Sequence, residues 1–124
     1  MNHLSLTQAV AELSKLQGMR GCALVESVSG LVWAVHGELA ASDSLWEAAV
    51  DYWRLHTRNQ AHFESLGALR AAVMYHSNCI LTVFRCTSEP DLLLVAAGIY
   101  ETVDWRELQR MNRKLGELIA GTSS

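Results

Sequence analysis

The stretch SLWEAAVDYWRLHTRNQAHFE, Ser44 to Glu64, decides how the rest of the chain is read. At about 100° per residue, it puts Leu45, Ala48, Ala49, Tyr52 and Phe63 on one face of a helix. Trp46 and Trp53, two turns apart, form a second stripe beside that face, and Glu47, Asp51, Arg54 and Arg58 form a charged back. A helix lying on its own core needs an apolar stripe about 100° wide, and the arc here spans roughly twice that. It is therefore predicted to pack against two things, its own domain and something else. Two tryptophans at the margin of a fold point to an association surface. The chain reads as an assembly module before it reads as an enzyme.

The flanks give the order of elements. Ser44 and Glu47 make a Ser-x-x-Glu capping box that opens the long helix after a loop over Gly37 to Asp43. Upstream, Ser5 is placed as the cap of a first helix with Leu6, Val10, Leu13 and Leu16 on its stripe and Gly18 as its stop. Gly21 to Ser27 then reads as a strand, Val28-Ser29-Gly30 as a turn, and Leu31 to His36 as the return strand. Downstream, the long helix ends near Ser65-Leu66-Gly67. Ala68 to His76 and Cys79 to Cys86 form a hairpin about Ser77-Asn78, and Thr87 to Asp91 is a loop that holds the single proline. Leu92 to Ile99 is the strand most suited to burial. Asp104 and Glu107 start a last helix with Trp105, Leu108, Leu115, Leu118 and Ile119 on one side, and Gly121 to Ser124 are predicted to fray.

Short strand-to-strand links make a mainly antiparallel sheet. Strands apolar on both faces need helices on both sides. The predicted fold is α+β: a five-stranded sheet in the order helix-strand-strand-helix-strand-strand-strand-helix, with the long middle helix on one face and the terminal helices on the other. The 124 residues suffice for one domain and one core, so residues 1–124 are read as a single unit.

Composition narrows the function. With 50% hydrophobic and 19% charged residues the chain is globular. A formal net charge of −3 gives no basic footprint for nucleic acid. No apolar run approaches the roughly 20 residues that span a bilayer, and the start, Met1-Asn2-His3-Leu4, carries no secretory signal pattern. Cys22, Cys79 and Cys86 fit no zinc or redox spacing and read as three small buried hydrophobes in a reducing cytoplasm. Cys79 and Cys86, an odd number apart, face opposite sides of the sheet. His56 and His62 do not share a helical face, and His36 and His76 end different strands, so no metal set is expected. Gly18-Met19-Arg20-Gly21 matches a short RNA-loop pattern, but it reads as a helix stop and strand start. No phosphate-cradling loop or acid–base constellation is present, and no cofactor is expected.

The order of elements resembles that of the roadblock / dynein light chain family. Local matches are Gly18-Met19-Arg20-Gly21-Cys22-Ala23-Leu24-Val25 running to the turn glycine Gly30, the long helix, and Leu92-Leu93-Leu94-Val95 as the last strand. The resemblance covers almost the whole chain. It implies a non-catalytic cytoplasmic adaptor that pairs with itself or a related chain, the strand after the long helix meeting its twin and the long helices packing together. Some bacterial members regulate a small Ras-like GTPase in motility or polarity. The chain departs from the family at Ser27-Val28-Ser29-Gly30, where an acidic residue often precedes the turn glycine, and in its aromatic-rich middle helix.

Ala68 to His76 fits such a pairing edge independently. It has no proline and one formal charge, Arg70, whereas exposed edges are normally guarded. The expected dimer interface is Trp46, Tyr52, Trp53, Arg70, Ala72 and Met74. Glu47, Asp51, Arg54 and Arg58 are left as a face for a further partner. The other placement for the two tryptophans is a cap on the domain's own core. A second functional reading is a ligand-sensing domain of the profilin, GAF or PAS kind, with Trp33, Tyr75 and Trp105 lining a pocket.

Overall fold

The computed structural model describes residues 3–122; Met1, Asn2, Ser123 and Ser124, and with them the start of the chain and the last two of the four residues expected to fray, lie outside the described residues. The elements are α1 (His3–Ser14), β1 (Met19–Glu26), β2 (Val32–His36), α2 (Asp43–Arg58), a 3-10 segment (Gln60–Leu66), β3 (Ala71–Tyr75), β4 (Ile80–Thr87), β5 (Leu92–Gly98) and α3 (Trp105–Thr122). The five strands form one sheet in the order β2-β1-β5-β4-β3, every neighbouring pair antiparallel.

β5 lies at the centre, and all seven of its residues are buried. Its alternation feeds two cores. Leu92, Leu94 and Ala96 join Leu6, Val10 and Leu13 of α1 and Leu108, Leu115 and Ile119 of α3. Leu93, Val95 and Ala97 join Trp46, Ala49, Val50 and Trp53 of α2. The helices therefore cover both faces, α2 on one and the terminal helices on the other. Gly116 lets α3 settle closely on β4, since a Cβ there would lie 2.3 Å from the Cys86 carbonyl oxygen.

Several helix ends differ from the sequence reading. Ser5 lies inside α1 instead of capping it, and Gly121 and Thr122 belong to α3. α2 begins at Asp43 with Ser42 as its N-cap residue and no side-chain cap bond, so Ser44 sits in the first turn and the Ser44–Glu47 capping box is not formed. Asp104 does cap α3, its Oδ1 accepting the Glu107 N–H at 3.1 Å. The long helix stops at Arg58, six residues before Glu64. The Asn59 side-chain amide donates to the Leu55 carbonyl (2.8 Å) while its backbone N–H turns to His56, so the ladder tightens into the 3-10 segment. Phe63 thereby leaves the helical face and stacks on His56, ring centroids 5.0 Å apart.

Candidate protein interface

The long helix α2 uses its tryptophans internally. Trp46 is 1% exposed and Trp53 3%. Trp46, Ala49, Val50 and Trp53 follow the spacing i, i+3, i+4, i+7, and this is the stripe that meets the sheet. The expectation of both indoles at a dimer interface is corrected: each ring is enclosed by its own protomer and has no surface to give a twin. Arg85 of β4 lies over the Trp53 ring at 5.5 Å. The outward side of α2 instead carries Ala48, Tyr52 and Leu55, all exposed.

Of the charged back, Glu47, Asp51 and Arg58 are exposed, but Arg54 is committed to the fold. Its Nε donates to the Ser27 carbonyl at 2.7 Å, an Nη to the Val28 carbonyl at 3.3 Å, and the other Nη to Asp51 at 2.9 Å. It clamps the β1–β2 turn to α2. As a free contact for a partner, Arg54 is corrected to a structural clamp.

β3 is the last strand of the sheet, paired within the protomer only to β4. Its five residues, Ala71-Ala72-Val73-Met74-Tyr75, hold no charge and no proline. Arg70 lies just outside the strand and is exposed. Ala72 and Met74 are half-buried against the α2-side core, and Ala71 packs on the opposite core. By alternation Val73 and Tyr75 share the Ala71 face; they are 47% and 71% exposed. The main contacts of α1 fall on β1 and β2, those of α3 on β4, and those of α2 on β1, β4 and β5. None of these reaches out over β3. The sequence reading takes Ala72 and Met74 from this strand for the interface and Tyr75 for a pocket; the two side chains of the strand that stand in solvent are Val73 and Tyr75.

The backbone phase of this edge is fixed by the hairpin. The His76 N–H donates to the Cys79 carbonyl at 2.9 Å, so that pair is hydrogen-bonded. Alternation makes Met74–Leu81 and Ala72–Val83 the next bonded pairs. Ala71, Val73 and Tyr75 therefore turn their N–H and C=O groups away from β4, toward the open side.

The aromatic trio proposed for a ligand pocket does not converge. Trp33 lies on β2 and Tyr75 on β3, the two opposite edges, which four strand spacings set about 19 Å apart. Trp33 and Trp105 pack on the core shared with α1 and α3, and the Trp105 indole N–H donates to the Tyr100 carbonyl. A cavity of about 280 Å³ lies elsewhere, under the 3-10 segment, lined by Trp53, His56, Phe63, Leu69 and Arg85 among others. His36 and His76 likewise stand at opposite edges, and among the described residues no group of three or more His, Cys, Asp or Glu is placed to hold a metal.

The cysteines need one correction. Cys22 is buried, whereas Cys79 and Cys86 are half-buried. Burial pushes the Cys22 and Cys86 thiols up to about 12. Cys79 accepts an N–H from Arg20 at 3.4 Å. Among the described residues no helix is long and apolar enough to cross a membrane.

No family model matches the sequence, and no curated protein matches it. Solved structures do match. The Roadblock/LC7 domain from Streptomyces avermitilis is 19% identical over 95% of this chain and 94% of that chain, with a TM-score of 0.74. The chain has the roadblock fold. MglB from Myxococcus xanthus shares it at 12% identity over 97% of this chain and 91% of that one, TM-score 0.77. MglB in a tetrameric arrangement shares it at 19% identity, 93% and 88% coverage, TM-score 0.71. In this roadblock fold β3 is an open edge of the sheet.

Proposed function

We propose that this chain is a non-catalytic adaptor or regulatory scaffold that works as a dimer, two copies joining through β3. One observation carries the reading: an uncharged, proline-free edge strand whose outer side chains Val73 and Tyr75 stand in solvent. Natural edges are blunted by charge, proline, bulges or cover, and β3 has none of these inside the strand. The tetrameric arrangement of one MglB supports self-association as a use of this fold. Pairing of two β3 strands would bring the two α2 helices near each other, giving Tyr52 and Leu55 a neighbour and leaving Glu47, Asp51 and Arg58 as a solvated face for another protein. A small Ras-like GTPase is the partner class that the family resemblance implies, and a cytoplasmic setting suits three free thiols.

Light scattering on a size-exclusion column tests the dimer. The expected mass at micromolar concentration is twice the protomer's 13.7 kDa. A strict monomer there removes the reading.

A further inference from the structure

On the α3 side of β3 lies a cleft of about 550 Å³ whose lining includes Ala71, Phe84, Gln109, Asn112 and Arg113, with Arg70 at its rim. Asn112 is 5% exposed. Its Nδ2 donates to the Arg85 carbonyl at 3.0 Å, but its buried Oδ1 has no hydrogen-bond partner. A buried acceptor without a donor is costly, and the residue that carries it is among those that line the cleft. On the same face, at the other end of the same strand, the Tyr75 ring stands in solvent, resting edge-on against Tyr100 at 5.7 Å. Its phenol is a hydrogen-bond donor.

We propose that two copies of this chain meet with Val73 on the two-fold axis, and that each copy's Tyr75 enters the Asn112 cleft of the other. This rests on the dimer proposed above and adds its register and its anchor. The backbone selects the register. Ala71, Val73 and Tyr75 are the outward-facing residues, and antiparallel pairs bond when outward residues oppose each other. With Val73 opposite its twin, Ala71 opposes Tyr75 and all three outward residues of each strand are paired. Symmetric registers centred on Ala72 or Met74 set Tyr75 against Leu69 or Val73 and leave one outward residue of the strand beyond its partner's end.

Directly opposed residues place their side chains on one face, with Cβ atoms about 5 Å apart. Tyr75 of one copy then lies beside Ala71 of the other, on the cleft side of the sheet. Alanine leaves the ring room to cross. The hydroxyl supplies the donor that Asn112 Oδ1 lacks, and the guanidinium groups of Arg70 and Arg113 flank the ring face. The ring exchanges an exposed contact with Tyr100 for an enclosed one.

Two measurements test the register and the anchor, both in the full chain. In a Cys79→Ser background, Val73→Cys forms an interchain disulfide under mild oxidation, because a bonded antiparallel pair sets the two Cα atoms about 5.5 Å apart, within bridging range. Ala72→Cys and Met74→Cys, which self-bridge only in the shifted registers, do not. By sedimentation, Tyr75→Ala raises the dimer dissociation constant by at least about 30-fold, as loss of a hot-spot aromatic does. Tyr75→Phe raises it by about tenfold, through two lost hydrogen bonds. A wild-type dimer in which Val73→Cys fails to bridge, or in which Tyr75→Ala dissociates as wild type does, overturns the register and anchor while the dimer stands. A monomeric wild type overturns the dimer itself.

Discussion

At one edge of the sheet, β2 lays Trp33 on the core shared with α1 and α3, and Val32 and Val35 on the core shared with α2. At the other edge, β3 is as apolar and as short, yet Val73 and Tyr75 stand in solvent. The difference comes from what the chain does on leaving each strand. After β2, Gly37 brings the backbone against Gly21, the Leu39 N–H bonds the Arg20 carbonyl, and Leu39 drops onto the α2-side core. α1 closes the other face. After β3 the chain turns at once into β4, and the 3-10 segment before it leaves Leu66 exposed. Two strands of similar composition thus differ because one has chain folded back over it and the other does not.

The largest effect on self-association should come from breaking the open edge alone. Val73→Pro removes an N–H that points away from β4, so the protomer should keep its fold with a melting temperature within a few degrees of wild type, proline being tolerated at such positions. Self-association should weaken by more than about 100-fold, since the axis residue can no longer pair. Equilibrium sedimentation beside a thermal melt separates the two.

Trp53→Ala sharpens the contrast from inside. Removing an enclosed indole should cost about 3–5 kcal/mol of folding stability, read by denaturant unfolding at a fixed protein concentration. The dissociation constant per folded protomer should hold, because this ring is not at the interface.

Gly37→Ala attacks the covered edge. The residue has φ +108°, and a Cβ would lie 2.6 Å from the Gly21 Cα. The expected cost is about 2–3 kcal/mol in folding stability, with faster amide exchange in β2 and little change in self-association.

A pH slope separates the two edges least, since neither should feel it differently. Cys22 and Cys86 lie on β1 and β4, and burial holds both thiols at about 12, against about 8.5 unfolded. Between these values the native state keeps protons that the unfolded chain releases. Stability is therefore full below about pH 8 and falls as pH rises, by up to about 1.4 kcal/mol per pH unit for each thiol. Unfolding midpoints measured from pH 7 to 10.5 check the sign.

These results also say what a sequence can carry. The order of elements, the central place of Leu92 to Gly98 and the Asp104 cap are local or strongly patterned, and the structure has them. Sequence periodicity alone hides the inward stripe of α2, because a helix running on to Glu64 gives Phe63 a false partnership with Tyr52. Asn59 breaks that helix, and the tryptophans then fall on the inner face with Ala49 and Val50. Ala71 to Tyr75 has no polar alternation, so its sequence does not tell the face toward α2 from the face toward α3. Only strand order and helix placement show that Val73 and Tyr75 lack cover, and both depend on contacts far apart in the chain. The Asn112 cleft has no sequence signal for the same reason, since Arg70 and Arg113 come to line one cleft only in the folded sheet.

Amide hydrogen exchange along β3 tests pairing of the open edge most directly. Within a protomer Ala72 and Met74 bond to β4, while the N–H groups of Ala71, Val73 and Tyr75 face outward. The account predicts slow exchange at all five residues at high protein concentration, with protection at the three odd-numbered residues fading on dilution. Fast exchange at Ala71, Val73 and Tyr75 at every concentration, with Ala72 and Met74 still protected, would contradict it.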